Sequence, residues 1–212
     1  MNFIMVEDHN LVCKGVWKII EEKSDFKCIG TFSTVDEALK FLNEYMLSSP
    51  QTQSTQPIIC IVDINLGHQE DNEEDGFSLI EYITKHFHNI NCICYSMFKG
   101  AGIVEKAISL GALGYVSKNA DLSVLLKAMQ YASQNKVYIE ENLTSDYVVY
   151  TNLFNSLTKR EKELTELYLQ GKNDDQISVL MNISKRAINN YWTRIISKLG
   201  VASKKELIDR YQ

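Results

Sequence analysis

No run of apolar residues in this 212-residue chain approaches the ~18 that a spanning helix requires. The opening MNFIMVEDHN has neither a basic start nor a cleavable apolar stretch. No membrane partner is therefore expected, and a cytoplasmic protein is. CxxC pairs and His/Cys ligand spacings are missing too, since Cys13, Cys28, Cys60, Cys92 and Cys94 are odd in number and sit in apolar contexts. Such cysteines read as reduced, buried small hydrophobes rather than a disulfide framework or a zinc site. What is present is ordinary for a globular protein, 45% hydrophobic and 23% charged, which excludes disordered and fibrous classes. The net charge of −5 conceals an asymmetry: residues 152–212 carry 11 Lys/Arg against 7 Asp/Glu, or +4, which leaves −9 for residues 1–151. Opposite charge on the two parts points to two tasks.

Short apolar runs at Phe3–Val6, Phe26–Gly30, Ile58–Val62, Cys92–Tyr95 and Leu113–Val116 are the length of strands buried on both faces. Helical patterns separate them, with apolar positions such as Leu11, Trp17 and Ile20 in the first and Leu122, Leu125 and Met129 in the fifth. Five β-α alternations predict an α/β domain over residues 1–135, a doubly wound five-stranded parallel sheet with its site at the carboxyl ends of the strands. The segment SSPQTQSTQP (48–57) reads as a polar surface loop. Residues 136–155 show no clear unit and are expected to be a partly ordered linker. From 156 to 212 every segment reads as helix, giving a second, smaller all-α domain. Thr158-x-x-Glu161 and Asn173-x-x-Gln176 are capping boxes, Gly171 is a stop, Ser184 caps a third helix ending near Gly200, and Ser203-x-x-Glu206 opens a fourth.

In such a sheet Glu7 and Asp8 follow the first strand and Asp63 ends the third. Three carboxylates on one rim repel one another unless a cation sits among them, and a hard ion such as Mg²⁺ favours oxygen ligands. Ser96 and Lys118 end the fourth and fifth strands. A hydroxyl, an ammonium and a metal-bound carboxylate around one point suit a phosphoryl group, with Asp63 as nucleophile. Singly, each residue has a plainer reading: Glu7 and Asp8 as acids helped by a helix dipole, Lys118 as a surface lysine, Tyr115 as core. Asp63 is different, because a Val/Ile run does not end on a buried carboxylate without a partner.

The ordered set VEDH (6–9), Asp63, Ser96 and GALGYVSK (111–118) resembles the receiver domain of two-component response regulators over about residues 2–135. The resemblance implies a flavodoxin-like fold and a histidine kinase as phosphoryl donor to Asp63. It implies Mg²⁺ held by Glu7, Asp8, Asp63 and the Asn65 carbonyl, Ser96 following the phosphoryl group, Lys118 pairing with it, and Tyr115 changing rotamer. The sequence departs from the family after Asp63, where the usual Met-Pro is missing and the loop is longer. Its acids Glu70, Asp71, Glu73, Glu74 and Asp75 read as a solvated charge run, or as a means of raising local Mg²⁺ or repelling a wrong kinase. Asp63, Asn65, Gly67 and Glu74 have the spacing of an EF-hand loop, but His68 stands where glycine is required and a strand precedes it, so calcium is rejected.

In the third tail helix Ile188, Trp192, Ile195, Ile196 and Leu199 recur at helical spacing, which turns Lys185, Arg186, Asn189, Asn190, Thr193, Arg194 and Lys198 outward. Those side chains suit bases and phosphates of double-stranded DNA, and a helix-turn-helix would place them in the major groove. An amphipathic helix with a solvated basic face is the alternative. Residues 156–208 resemble the LuxR/NarL/FixJ-type DNA-binding domain in the LTKRE opening, the Ile177, Leu180, Ser184 turn and the KLGV ending, with Ala187 where Thr is usual and Tyr191 where His is usual. Together the two resemblances imply a transcription regulator, not an enzyme, that forms a homodimer when Asp63 is phosphorylated. Two rivals stand: a receiver that dimerises without phosphorylation, and a Mg²⁺-dependent phosphohydrolase, for which Asn65 replaces the second aspartate such enzymes need.

Overall fold

The computed structural model describes residues 1–48, 57–66 and 76–211. Strands and helices alternate as β1 (Asn2–Val6), α1 (Asn10–Lys23), β2 (Lys27–Phe32), α2 (Val35–Ser48), β3 (Ile58–Val62), α3 (Gly76–His86), β4 (Ile90–Ser96), α4 (Ala101–Ser109), β5 (Gly114–Ser117), α5 (Leu122–Ala132) and β6 (Tyr138–Ile139). Helices follow as α6 (Glu141–Asn155), α7 (Lys159–Leu169), α8 (Asp174–Met181), α9 (Lys185–Leu199) and α10 (Lys204–Tyr211). The chain divides into two compact units, residues 1–99 with 106–142, and residues 100–105 with 143–212. No helix among the described residues is long and apolar enough to cross a membrane. Most of the polar segment 48–57 and of the acidic loop after Asp63, including Gly67, His68 and Glu74 of the calcium spacing, lies outside the described residues.

The sheet is parallel throughout, in the order β2-β1-β3-β4-β5-β6. All five residues of β3 are buried, as a central strand covered on both faces must be. Alternate residues Phe3, Met5, Ile59, Ile61, Ile93, Tyr95 and Val116 join one core with Cys13 and Ile20 of α1 and Leu125, Ala128 and Met129 of α5. Their neighbours Ile4, Val6, Cys60, Val62, Cys92 and Cys94 are equally buried and turn to the opposite face by the two-residue period. Each such aliphatic side chain contributes about 1.5–3 kcal/mol by leaving water. All five cysteines are free, as their apolar settings imply. Leu11, placed by its periodicity on the apolar face of α1, is 87% exposed. It lies about 200° around the helix from Cys13, which with Ile20 marks the face that is buried.

A sixth strand extends the five-stranded sheet. Tyr138 N–H donates to Leu113 O at 2.9 Å and Glu140 N–H to Tyr115 O at 3.0 Å, so β6 covers the open edge of β5. Two paired residues are too few to leave a periodic signal. The rest of the expected linker is the helix α6. Its Thr144, Val148, Val149 and Thr151 are weak helix formers. Burial of Leu143, Tyr150 and Phe154 on one face secures it instead, with Tyr150 and Phe154 stacked at 4.5 Å. These two aromatics belong to the core of the second unit with Leu164, Ile177, Met181, Ile188, Trp192, Ile195, Leu199 and Leu207. The tail is therefore the four expected helices with α6 added to them.

Candidate functional site

Strand order reverses between β1 and β3, since the chain leaves β1 for β2 on one side and returns to β3 on the other. The carboxyl ends at such a switch point form the crevice in which doubly wound sheets bind ligands. Glu7, Asp8 and His9 follow β1 there, and Asp63 follows β3. Glu7 is 1% exposed and Asp63 is 5% exposed. Lys118, just past β5, reaches over both, its Nζ 2.7 Å from Asp63 Oδ2 and 2.5 Å from Glu7 Oε2. Burial by itself would lower the Lys118 pKa, but the hydrogen bonds from Asp63 and Glu7 and their charges outweigh it, and the net direction is upward. The ammonium is thus firmly charged and neutralises much of the rim. One ligand atom from each of Glu7, Asp8, His9 and Asp63 lies within 4.8 Å of the others. Asn65 also meets Asp63, through its backbone N–H, which donates to Oδ1 at 3.2 Å.

Gly76, which the sequence marks only as the end of the acidic loop, is built into this crevice. A Cβ there would stand 2.1 Å from Asp63 O and 2.8 Å from Ile64 Cα, so only glycine lets the start of α3 run against the Asp63 backbone. Its N–H donates to Ile64 O at 3.0 Å.

Ser96 and Tyr115 meet at a different point. Ser96, fully buried at the end of β4, accepts from Phe98 N–H at 3.3 Å, and Tyr115 OH donates to Phe98 O at 2.9 Å. Burial pushes the Tyr115 hydroxyl well above the ordinary phenol range, with Cys94 and Asp63 adding to the shift and Ser96 opposing it. Both predicted switch residues are therefore tied to the peptide groups of one exposed residue, Phe98.

In the second unit both predicted capping boxes are formed, Thr158 with Glu161 and Asn173 with Gln176, and the Ser184 hydroxyl accepts from Ala187 N–H. Asn182 turns the chain through the left-handed region (φ 52°) between α8 and α9, and Gly200 does so (φ 63°) at the end of α9. Helix α9 buries Ile188, Trp192, Ile195 and Leu199 and exposes Lys185, Arg186, Asn189, Asn190, Thr193, Arg194 and Lys198. These seven are not equally available. Lys185 pairs with Asp175 of α8. Lys198 Nζ lies 2.7 Å from Glu161 Oε2 and donates to Ser156 O at 3.2 Å, which makes it part of the α7 cap. Arg194 lies 3.6 Å from Glu161 Oε1 with its guanidinium 4.7 Å from the Tyr191 ring centre.

Burial would raise the Glu161 carboxyl, but Lys198 and the Thr158 hydrogen bonds hold it below its ordinary range. A depressed folded-state pKa contributes stability that is complete above the unfolded value and is lost as pH falls through the folded one. Glu161→Gln is expected to cost about 1–2 kcal/mol at neutral pH. The difference from wild type should shrink as pH falls below the ordinary glutamate range in urea melts taken across the acid range.

A doubly wound sheet with paired acids and a largely buried lysine at its carboxyl ends, followed by a capped helical domain with a tight turn between α8 and α9, defines a regulatory receiver joined to a helix-turn-helix module. The family model for the response regulator receiver domain matches residues 3–130, and that for bacterial regulatory proteins of the luxR family matches residues 155–211. The chain belongs to the response regulators and carries a luxR-type domain. It is 24% identical over 221 aligned residues to the oxygen regulatory protein NreC of Staphylococcus aureus, covering 99% of this chain and 95% of NreC. Among solved structures, RcsB of Salmonella enterica serovar Typhimurium, bound to promoter P1flhDC in the presence of the phosphomimetic BeF3⁻, is similar with a TM-score of 0.65. That match has 23% identity and covers 99% of this chain and 97% of RcsB. A LuxR-family response regulator from Aurantimonas sp. SI85-9A1 matches with a TM-score of 0.59 and 19% identity over 71% of this chain and 96% of its own.

Proposed function

We propose that the protein is a two-component transcription regulator in which Asp63 accepts a phosphoryl group from a histidine kinase and the helical domain binds double-stranded DNA as half of a homodimer. The observation that carries this reading is the Lys118 ammonium set against Asp63 Oδ2 and Glu7 Oε2 at the carboxyl ends of the strands. A carboxylate oxygen of Asp63 attacks the phosphorus of a phosphohistidine, the P–N bond breaks, and the released imidazole takes up a proton from solvent. Lys118, already within hydrogen-bonding distance of Asp63, orients the carboxylate and balances the charge of the new acyl phosphate. The oxygen-rich donor set of Glu7, Asp8 and Asp63 fits Mg²⁺, with the Asn65 carbonyl as a further ligand; bound there it would neutralise charge on the phosphoryl oxygens.

Ser96 turning toward the phosphoryl group gives up the Phe98 N–H, and the Phe98 carbonyl that holds Tyr115 shifts with it. The resulting bias on dimerisation is modest, since tenfold in active population needs only about 1.4 kcal/mol. Arg186, Asn189, Asn190 and Thr193 then read bases and phosphates. The presence of promoter DNA and a phosphomimetic in the RcsB structure supports this assignment by likeness.

The test is a DNA-binding titration at fixed salt, with and without acetyl phosphate and Mg²⁺. Wild type should gain about tenfold in affinity and shift to dimer, and Asp63→Asn should do neither. Equal affinity and oligomeric state under all conditions would instead mean a receiver that dimerises without phosphorylation. In the same assay Asp175→Asn frees Lys185 from its partner. Binding should tighten, and the slope of log K against log salt should steepen by about 0.9, the value for one additional neutralised phosphate.

A further inference from the structure

Glu140 is a buried acid that the chemistry at Asp63 leaves unused. It directly follows β6, an edge strand of two residues, yet it is only 5% exposed. In the parallel ladder between β5 and β6, Tyr138 N–H donates to Leu113 O and Glu140 N–H to Tyr115 O, so the next rung would run from Ser117 N–H to the Glu140 carbonyl. The chain instead turns into α6 at Glu141, and Oε2 of the Glu140 side chain accepts from Ser117 N–H at 2.7 Å. A carboxyl is costly to bury without a hydrogen bond, and so is a backbone donor without an acceptor; here each serves the other.

Ser117 is the residue before Lys118. It is fully buried, its hydroxyl accepts from Asn119 N–H at 3.2 Å, and its carbonyl accepts from Ala120 N–H at 2.9 Å. Lys118 N–H donates to Ser96 O of β4 at 2.8 Å. The turn that carries Lys118 is thus pinned to β4 on one side and to Glu140 on the other, and from it Nζ reaches Asp63 Oδ2 at 2.7 Å. We infer that Glu140 is a positioning residue for phosphoryl transfer, which acts by holding the Ser117 peptide and with it the backbone from which Lys118 reaches Asp63. The inference rests on the phosphoryl-acceptor role proposed for Asp63 and adds to it a residue from the edge of the sheet.

The test follows phosphorylation of the full chain by acetyl phosphate and Mg²⁺ on phosphate-affinity gels, over a range of donor concentrations, with urea melts to establish that each variant is folded. Glu140→Ala should lower the maximal rate about tenfold while the half-saturating donor concentration changes less than about twofold. Glu140→Gln keeps an oxygen acceptor for Ser117 N–H and should stay within about threefold of wild type, with the shorter Glu140→Asp slower than Glu140→Gln. In a Lys118→Met background, adding Glu140→Ala should change the rate less than about twofold, because a residue that acts through the lysine has nothing left to position. A wild-type rate in folded Glu140→Ala, or a loss that adds in full to that of Lys118→Met, would overturn the inference and leave the Asp63 reading standing. If Glu140→Ala does not fold, a slow Glu140→Gln beside a normal Glu140→Asp would overturn it equally, since charge and not the hydrogen bond would then matter. Wild type that takes up no phosphate, or Asp63→Asn that takes up as much, would remove the underlying reading as well.

Discussion

Lys118→Met is expected to lower the stability of the sheet unit by about 3 kcal/mol in chelator-treated protein, and added Mg²⁺ is expected to restore most of the loss. The side chains of Lys118, Glu7 and Asp63 are only 10%, 1% and 5% exposed, so removing the ammonium strands two carboxylates beside each other with little water. Breaking a buried pair from one side costs far more than the pair is worth, because the charge left behind is uncompensated. The lysine's pKa is raised in the fold, so its contribution is complete below the unfolded value of 10.5 and is lost only as pH rises through the folded value. The penalty should therefore be flat across the neutral range. Hydrogen exchange of the β1 and β3 amides in the full chain, with chelator and then with Mg²⁺, measures both halves of the expectation. A full penalty that no divalent ion relieves would refute the cation site.

Trp192→Ala is expected to destabilise the second unit by about 3–5 kcal/mol, a large share of the 5–15 kcal/mol that holds a typical domain. Trp192 is 3% exposed, meets the Tyr168 ring edge-on at 4.8 Å, and donates from Nε1 to Asp174 Oδ1 at 3.2 Å. It joins α9 to both α7 and the start of α8, so the cavity left behind also frees the turn that aims α9. DNA binding should collapse while Asp63, in the other unit, still takes up a phosphoryl group from acetyl phosphate. Trp192→Phe, which keeps most of the volume, should retain binding. Undiminished DNA affinity in Trp192→Ala would sever the assumed link between this core and the DNA-reading face.

The residues whose role is local were legible in the sequence. Thr158, Glu161, Asn173, Gln176 and Ser184 announce helix starts because a cap involves only neighbours three residues apart. Ile58–Val62 announces a buried strand because it carries no polar side chain. Asp63, Glu7 and Lys118 could be joined from sequence because a parallel sheet brings its strand ends together however long the connections are. Elements that depend on distant partners were not legible. β6 exists through its pairing with β5, and α6, rich in β-branched residues, exists through the core its Tyr150 and Phe154 enter.

The same distinction runs through the functional residues. Lys198 has the chemistry of a phosphate contact, and only its approach to Glu161 from 37 residues away makes it a cap partner. Gly76 gains its importance from the Asp63 carbonyl it passes, and Phe98 from the tyrosine that reaches it from β5. By itself the sequence determined the strand-helix alternation, the family and the acid-lysine set, because periodicity, caps and strand ends are properties of short stretches. The tertiary structure alone decided which polar groups are already engaged and which remain free for a ligand, because hydrogen bonds and ion pairs follow distance in space.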